Sequence, residues 1–125
     1  MTDTKFPRRM FRWAAIWGVI VLTPMYFAPL PLRGAEVFLG FVGLALVFQV
    51  MFWIIGSDPV KCRALMPVAV AEKLVFGLPA LALFAQGRTE APVAGFAAID
   101  VVLGLGFWLA WRRTTGDRSR WRGLS

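Results

Sequence analysis

The sequence contains no histidine and a single cysteine, Cys62. One cysteine cannot form an intrachain disulfide. Without histidine the chain cannot build, on its own, the zinc, haem or cysteine–histidine nucleophile sites that use these side chains. A glycine-rich phosphate-binding loop of the Walker type is also absent from the sequence. We therefore expect no catalytic residues, no bound metal and no cofactor, and an enzyme is the less favoured class of protein.

Charged residues are scarce and unequal in sign. They make up 17% of the 125 residues, with 14 Lys and Arg against 7 Asp and Glu, while 58% of the residues are hydrophobic. A soluble domain has roughly 25% charged and roughly 45–50% apolar residues. This chain therefore has too little polar surface to cover a globule, and its hydrophobicity also excludes disorder. The composition indicates a membrane protein.

Four long segments carry few charges or none. They hold 20, 21, 24 and 21 residues and lie between Arg12 and Arg33, Glu36 and Asp58, Arg63 and Arg88, and Glu90 and Arg112. A helix needs about 20 apolar residues to cross the hydrocarbon core of a bilayer. We therefore predict an all-α, polytopic bundle of four transmembrane helices within a single domain, residues 1–125. The predicted helices cover residues 11–28, 36–55, 64–86 and 92–111, and a basic tail covers residues 112–125.

Lysine and arginine are distributed unevenly over the predicted connections. Eleven of the 14 lie in the N-terminal segment up to Arg12, between the second and third helices, or in the tail, and two, Arg33 and Arg88, lie on the other side. Short cytoplasmic loops are enriched in these residues, so both termini are predicted to be cytoplasmic. Topology thus explains the basic surplus, with attraction to anionic lipid as a secondary effect, and we expect no nucleic-acid partner.

Six polar residues lie inside the apolar segments and away from the segment ends, most of them near the predicted midplane. They are Thr23, Tyr26, Gln49, Glu72, Lys73 and Asp100. Ionisable residues are unfavourable at this depth and are expected to face each other, a cavity or another subunit. We predict a buried cluster of Glu72, Lys73 and Asp100, with the other three as supporting polar groups.

Within this cluster, helical periodicity predicts an ion pair between Lys73 and Asp100. Lys73 shares its helix face with small residues at 69, 77 and 80, and Asp100 shares its face with small residues at 97 and 104, which permits close helix packing. Glu72 is about 100° away from Lys73 around the helix and is not expected to share the same bonds. The three ionised side chains sum to −1, which leaves one carboxylate without a partner in the chain.

Three functions fit this pattern. The favoured interpretation is a structural or accessory bundle, in which the buried charges fix the helix register. The alternatives are a small oligomeric transporter or channel for protons, cations or small solutes that uses Glu72, and a protein that binds a lipid or a quinone. Faces of small residues at Ala14/Gly18, Gly40/Gly43 and Ala94/Ala98 suggest a homo-oligomer or a larger membrane complex.

Three short runs resemble a pattern in small uncharacterised four-helix inner-membrane proteins of bacteria. They are Ser57-Asp58-Pro59 up to Arg63, Leu65-Met66-Pro67, and Glu72-Lys73-Leu74. The general layout is similar to the DoxX-like group. The resemblance covers most of the chain in hydropathy and a short stretch of it in motif. It implies a location in the bacterial inner membrane and brings no particular chemistry.

Overall fold

Four α-helices form the part of the chain that the computed structural model describes, residues 4–114. They are α1 (Lys5–Leu22), α2 (Ala35–Ser57), α3 (Met66–Ala85) and α4 (Ala91–Arg113), with 3₁₀ turns at Thr23–Tyr26 and Arg63–Leu65. The predicted all-α class is confirmed for these residues. Most of the predicted basic tail, from residue 115 onward, lies outside them.

Three stretches are long and apolar enough to cross a membrane, namely Ala35–Ser57, Arg63–Ala85 and Ala91–Arg113. Large apolar side chains on α2 point away from the protein, since Val37, Leu44 and Val47 are 62–70% exposed. Apolar surface of this extent is not left in contact with water by a monomeric soluble protein. The chain is therefore a multi-pass membrane protein whose outward faces suit a lipid bilayer.

Helix α1 differs from the predicted first span. It begins at Lys5 rather than near Phe11, because basic residues end a hydrophobic run without ending a helix. The ten uncharged residues from 13 to 22 cover about 15 Å, roughly half the hydrocarbon core. Beyond Leu22 the backbone tightens into a 3₁₀ turn with Pro24 near its start, as expected for a residue that lacks a backbone N–H. Of the described helices, α1 is the one that falls short of a membrane span.

Local sequence signals shape the connection between α2 and α3. Asp58 follows α2, and its carboxylate accepts a hydrogen bond from the Lys61 backbone N–H at 3.3 Å. Pro67 lies in the first turn of α3. Backbone N–H groups in that turn have no hydrogen-bond partner within the helix, so a proline there costs no hydrogen bond. Helix α3 therefore starts beside Pro67, and the residues before it form turns.

The helices form two antiparallel hairpins. Helix α1 packs along α2, and α3 packs along α4, whereas α2 and α3 contact each other little. In the first hairpin the Arg8 guanidinium donates a hydrogen bond to the Ser57 carbonyl at 2.9 Å. In the second, Arg63 Nε donates to the Thr114 carbonyl. Both chain ends of the described region therefore lie at one end of the bundle, which we call the terminal end.

An aromatic cluster joins the two hairpins at the terminal half of the bundle. The rings of Phe11 and Phe107 stack with centroids 4.2 Å apart and an interplanar angle of 7°. The Phe52 ring lies 4.9 Å from that of Phe107. All three side chains are fully buried, together with Ile55 and Met66. Burying each such side chain contributes about 1.5–3 kcal/mol in water, and in a bilayer close packing replaces much of that contribution. This aromatic cluster closes the terminal half.

Small residues bring helices together inside the chain. An ideal Cβ built on Gly77 of α3 would lie 2.7 Å from Val101 Cγ2 and 3.1 Å from the Ala97 carbonyl oxygen of α4. Gly18 of α1 is similarly covered by the Gln49 side chain of α2. The small-residue face at Ala14/Gly18, from which an oligomer was predicted, thus packs against α2 of the same chain at Gly18. The homo-oligomer stays a prediction.

Replacing Gly77 by leucine should destabilise the bundle, because the new side chain has no room between α3 and α4. We expect the free energy of unfolding to fall by about 1–3 kcal/mol, measured by denaturant titration in detergent micelles. Gly40→Leu is the matched control, since nothing lies within 4 Å of an ideal Cβ at Gly40. Equal losses in both variants would contradict the close α3–α4 packing.

Candidate functional site

Lys73 lies on the buried face of α3 and is 4% exposed. Its Nζ atom is 3.4 Å from Asp100 Oδ1 on α4, so the predicted ion pair is confirmed. The helices approach closely here because the position facing Lys73 is a glycine. An ideal Cβ on Gly104 would be 3.3 Å from Lys73 Cβ.

Glu72 also reaches the lysine, which corrects the expectation that the two side chains point apart. Its Oε2 atom lies 3.7 Å from Lys73 Nζ, close enough for an ion pair but too far for a hydrogen bond. Adjacent Cβ atoms on a helix diverge by about 100°, but both side chains are long and flexible and their tips converge. Among the described residues, Oε2 is buried and has no hydrogen-bond partner.

The Lys73 ammonium also contacts α2. It lies 5.2 Å from the centroid of the Phe52 ring, within the range of a cation–π interaction. One positive charge therefore bridges three helices, through Asp100 on α4, Glu72 on α3 and Phe52 on α2. The aromatic cluster of the terminal half adjoins the Lys73 ammonium, because Phe52 belongs to that cluster and also contacts the ammonium.

Gln49 is 2% exposed and lines the same cavity as Lys73, and its predicted supporting role stays a prediction. Its Nε2 donates a hydrogen bond to the Ala45 carbonyl at 2.8 Å, while its Oε1 is buried without a hydrogen-bond partner among the described residues. That oxygen rests against Gly18, where a Cβ would collide with it at 1.9 Å. The amide thus leaves a second acceptor unsatisfied near the charges.

Thr23 and Tyr26 lie elsewhere. Both belong to the 3₁₀ turn after α1 and are exposed, Tyr26 by 42%. The Tyr26 hydroxyl approaches Gly43 of α2, 3.1 Å from where a Cβ would be. Neither residue is part of the described lining of the cavity beside Lys73. The regular helix ends at Leu22, and this carries both side chains toward the other end of the bundle.

A cavity of about 460 Å³ extends from the charged residues away from the terminal end. All four helices contribute to its wall. The lining residues are Trp17, Gly18, Val21, Leu22, Met25, Phe41, Ala45, Gln49, Glu72, Lys73, Phe76, Val93, Phe96 and Asp100. The wall is mainly apolar, and its polar groups are gathered at the end next to the aromatic cluster. We call this space the central cavity.

The apolar wall of the central cavity is not apparent from the sequence. Trp17, Phe41, Phe76 and Phe96 supply four aromatic rings to it, and the rings of Phe41 and Phe76 lie 5.7 Å apart. Aromatic residues are common throughout these helices, so their types do not mark them. Their positions in the sequence could have indicated them. Each of the four lies within two helical turns of a predicted polar residue, or of the helix end that faces away from the termini.

Arginine–aromatic pairs surround the terminal end. They are Arg12 with Trp53, Arg63 with Trp111, Arg112 with Trp108, and Arg113 with Phe6, with guanidinium-to-ring distances of 4.8–5.2 Å. Such pairs combine an apolar body with a charged tip and suit the boundary between lipid and water. These pairs lie outside the aromatic cluster, at the ends of the helices.

The fold and the site together define a class, a small multi-pass helical membrane protein with a buried Lys73–Asp100 ion pair. Comparison with known proteins adds no name to that class, because no family model, no curated protein and no solved structure matches the chain. No family is therefore identified. The resemblance to small four-helix inner-membrane proteins and the DoxX-like group stays a prediction and assigns no role to any residue.

Removing Lys73 should destabilise the protein more than removing Asp100. Lys73→Met leaves two carboxylates close together without a cation, whereas Asp100→Leu leaves the lysine beside Glu72. Breaking a buried ion pair costs roughly 3–5 kcal/mol, and we expect Lys73→Met to approach this value. The free energy of unfolding, measured in micelles, shows which of the two variants is less stable.

The double variant Lys73→Met/Asp100→Leu provides the matching control. It removes both partners of the main pair and should recover much of the stability that Lys73→Met loses. A double variant no more stable than Lys73→Met would contradict the assigned pairing.

Proposed function

We propose that the chain crosses a bacterial inner membrane four times, with both termini in the cytoplasm. Eight described basic residues support this orientation by their place at the terminal end, against two at the other. The eight are Lys5, Arg8, Arg9, Arg12, Lys61, Arg63, Arg112 and Arg113, and the two are Arg33 and Arg88. The apolar part of α1 completes its crossing with the 3₁₀ turn and the apolar residues up to Leu32.

Within this arrangement the protein binds a lipophilic molecule that it takes from the bilayer into the central cavity. One observation carries the proposal, namely a mainly apolar cavity of about 460 Å³ with polar groups gathered at one end, between four helices of which three are of membrane length. Small-molecule sites have volumes of about 300–1,000 Å³ and combine apolar walls with a few polar groups that fix orientation. A molecule with an apolar body and a polar head matches both parts.

The aromatic cluster supports binding rather than conduction. Phe11, Phe52 and Phe107 are fully buried and fill the space between the hairpins below the charges. A channel needs a path on both sides of Glu72, and the structure supports a path on one side. The central cavity therefore favours a lipid- or quinone-binding role over a transporter or channel.

A purely structural role for the charges is the second candidate, and the Lys73–Asp100 pair supports it. The two roles are compatible, because an ion pair that joins α3 to α4 also forms part of the cavity wall. The structural role alone, however, gives no purpose to a cavity lined by four aromatic rings. Binding accounts for both features.

The single cysteine tests the orientation. Cys62 lies at the terminal end, between α2 and α3. Burial and the nearby Asp58 carboxylate raise the pKa of its thiol above the ordinary value, so labelling is done at alkaline pH, where the reactive thiolate forms. A membrane-impermeant maleimide should label Cys62 in inverted membrane vesicles and not in spheroplasts.

The control places a thiol at the other end. Leu32 is fully exposed in the connection between α1 and α2, and Leu32→Cys in a Cys62→Ser background should show the reverse pattern. Labelling of Cys62 in spheroplasts would overturn the proposed orientation.

Filling the central cavity should abolish ligand retention. Val93 of α4 lines the cavity, and Val93→Trp adds a bulky ring to its space. We expect native mass spectrometry of the gently solubilised wild-type protein to show a retained lipophilic molecule, and the variant to lose it. The matched control is Val102→Trp on the same helix, because Val102 is 65% exposed and is not among the lining residues. Retention that is equal in both variants, or absent from the wild type, would argue against binding in the cavity.

A further inference from the structure

Three ionisable side chains line the central cavity among the described residues, and their charges do not cancel. Glu72 and Asp100 carry two negative charges when ionised, and Lys73 carries one positive charge. The lining residues that α1 and α2 contribute are uncharged, and the one polar side chain among them is Gln49. An ionised site therefore holds one net negative charge, inside a wall that is otherwise apolar.

The Lys73 ammonium, which is the one positive charge of the site, already has partners in the protein. Lys73 Nζ lies 3.4 Å from Asp100, 3.7 Å from Glu72 and 5.2 Å from the Phe52 ring, and its side chain is 5% exposed. An anionic head group would have to compete with two carboxylates for a buried ammonium. Like-charge repulsion from those carboxylates disfavours it further.

The unsatisfied groups at the site are acceptors. Glu72 Oε2 and Gln49 Oε1 are both buried without hydrogen-bond partners among the described residues. Both atoms are covered by protein, so a ligand head has to displace part of that cover to reach them. Buried acceptors left unpaired are unfavourable, and a donor that displaces the cover and reaches them removes that cost. Donors on a ligand head would therefore be matched here, whereas a quinone carbonyl, which is an acceptor, would not.

The walls near these groups are rich in aromatic rings. Trp17, Phe41, Phe76 and Phe96 all line the central cavity. The faces of such rings attract cations, most strongly where water is excluded. Net charge, unpaired acceptors and aromatic walls thus indicate the same ligand chemistry.

We infer that the central cavity takes a cationic amphiphile, a long-chain amine or related organic cation, with its head beside Glu72 and its apolar tail along the aromatic walls. This inference rests on the proposed function, because it names the class of molecule that the cavity binds. The ammonium head neutralises the remaining carboxylate and donates hydrogen bonds to the unpaired acceptors.

Four probes with the same tail and different heads test the inference. Dodecylamine, dodecyltrimethylammonium, dodecanol and dodecanoate are titrated as radiolabelled compounds against the full-length protein in phosphatidylcholine nanodiscs, with uptake by empty nanodiscs subtracted. We expect dodecylamine to bind at least about tenfold more tightly than dodecanol, from charge-assisted contacts, and dodecanoate to bind most weakly. Dodecyltrimethylammonium, which is charged but has no donor, should fall between dodecylamine and dodecanol.

Two variants locate the head group. Glu72→Gln removes the unpaired charge and should lower the affinity for dodecylamine to that for dodecanol, with dodecanol binding unchanged. Glu36→Gln is the matched control, because Glu36 is exposed at the start of α2 and is not among the lining residues. The wild-type comparison of the four probes stands alone if Glu72→Gln does not fold.

The outcomes separate this inference from the proposed function. If dodecanol or dodecanoate binds as tightly as dodecylamine, in a manner blocked by Val93→Trp, the cationic class is overturned and lipophile binding stands. If no probe binds while a neutral or anionic molecule is retained from the membrane, the result is the same. If no probe binds and nothing is retained, both proposals fail.

Discussion

The burial of one lysine ammonium in a membrane-length helix constrains most of the surrounding structure. A charge at this depth is tolerated only with partners close by. Lys73 obtains them from Asp100 at 3.4 Å, Glu72 at 3.7 Å and the Phe52 ring. These contacts require α4 to approach α3 closely, and Gly104 permits that approach by leaving space against the lysine stem. Changes that separate the two helices would take away Asp100, the nearest partner of the ammonium, and leave Glu72 as its remaining carboxylate.

The same lysine lies where the packing of the bundle changes. On the terminal side, the Phe11, Phe52 and Phe107 rings fill the space between the hairpins. On the other side, α2 and α3 make little contact and the central cavity begins. The rings of the aromatic cluster hold the two hairpins together, so the fold does not depend on contacts between the hairpins across the central cavity. The charged groups form the floor of the cavity because they lie at this boundary.

Hydropathy and helical periodicity predicted the features that depend on segment length and on faces. They placed the three membrane-length helices and paired Lys73 with Asp100, because the small residues beside each one identify a buried face. They misplaced the start of α1, since charge marks the end of an apolar run and not the end of a helix. They separated Glu72 from Lys73, because Cβ directions do not show where two long side chains meet. The cavity could not be predicted, because its walls depend on gaps between hairpins rather than on residue types.

A structural role does not explain the charge of Glu72, the third ionisable residue of the site. Lys73 and Asp100 alone would neutralise each other and join α3 to α4. Glu72 adds a second carboxylate whose Oε2 has no hydrogen-bond partner among the described residues, and an uncompensated charge at this depth is unfavourable for the fold. In the proposed binding role, Glu72 lies at the floor of an aromatic-walled cavity, where a cation that enters from the bilayer would meet the one unbalanced charge of the site. On that proposal Glu72 would destabilise the empty protein and stabilise the ligand-bound one, whereas the Lys73–Asp100 ion pair stabilises the protein with or without a ligand.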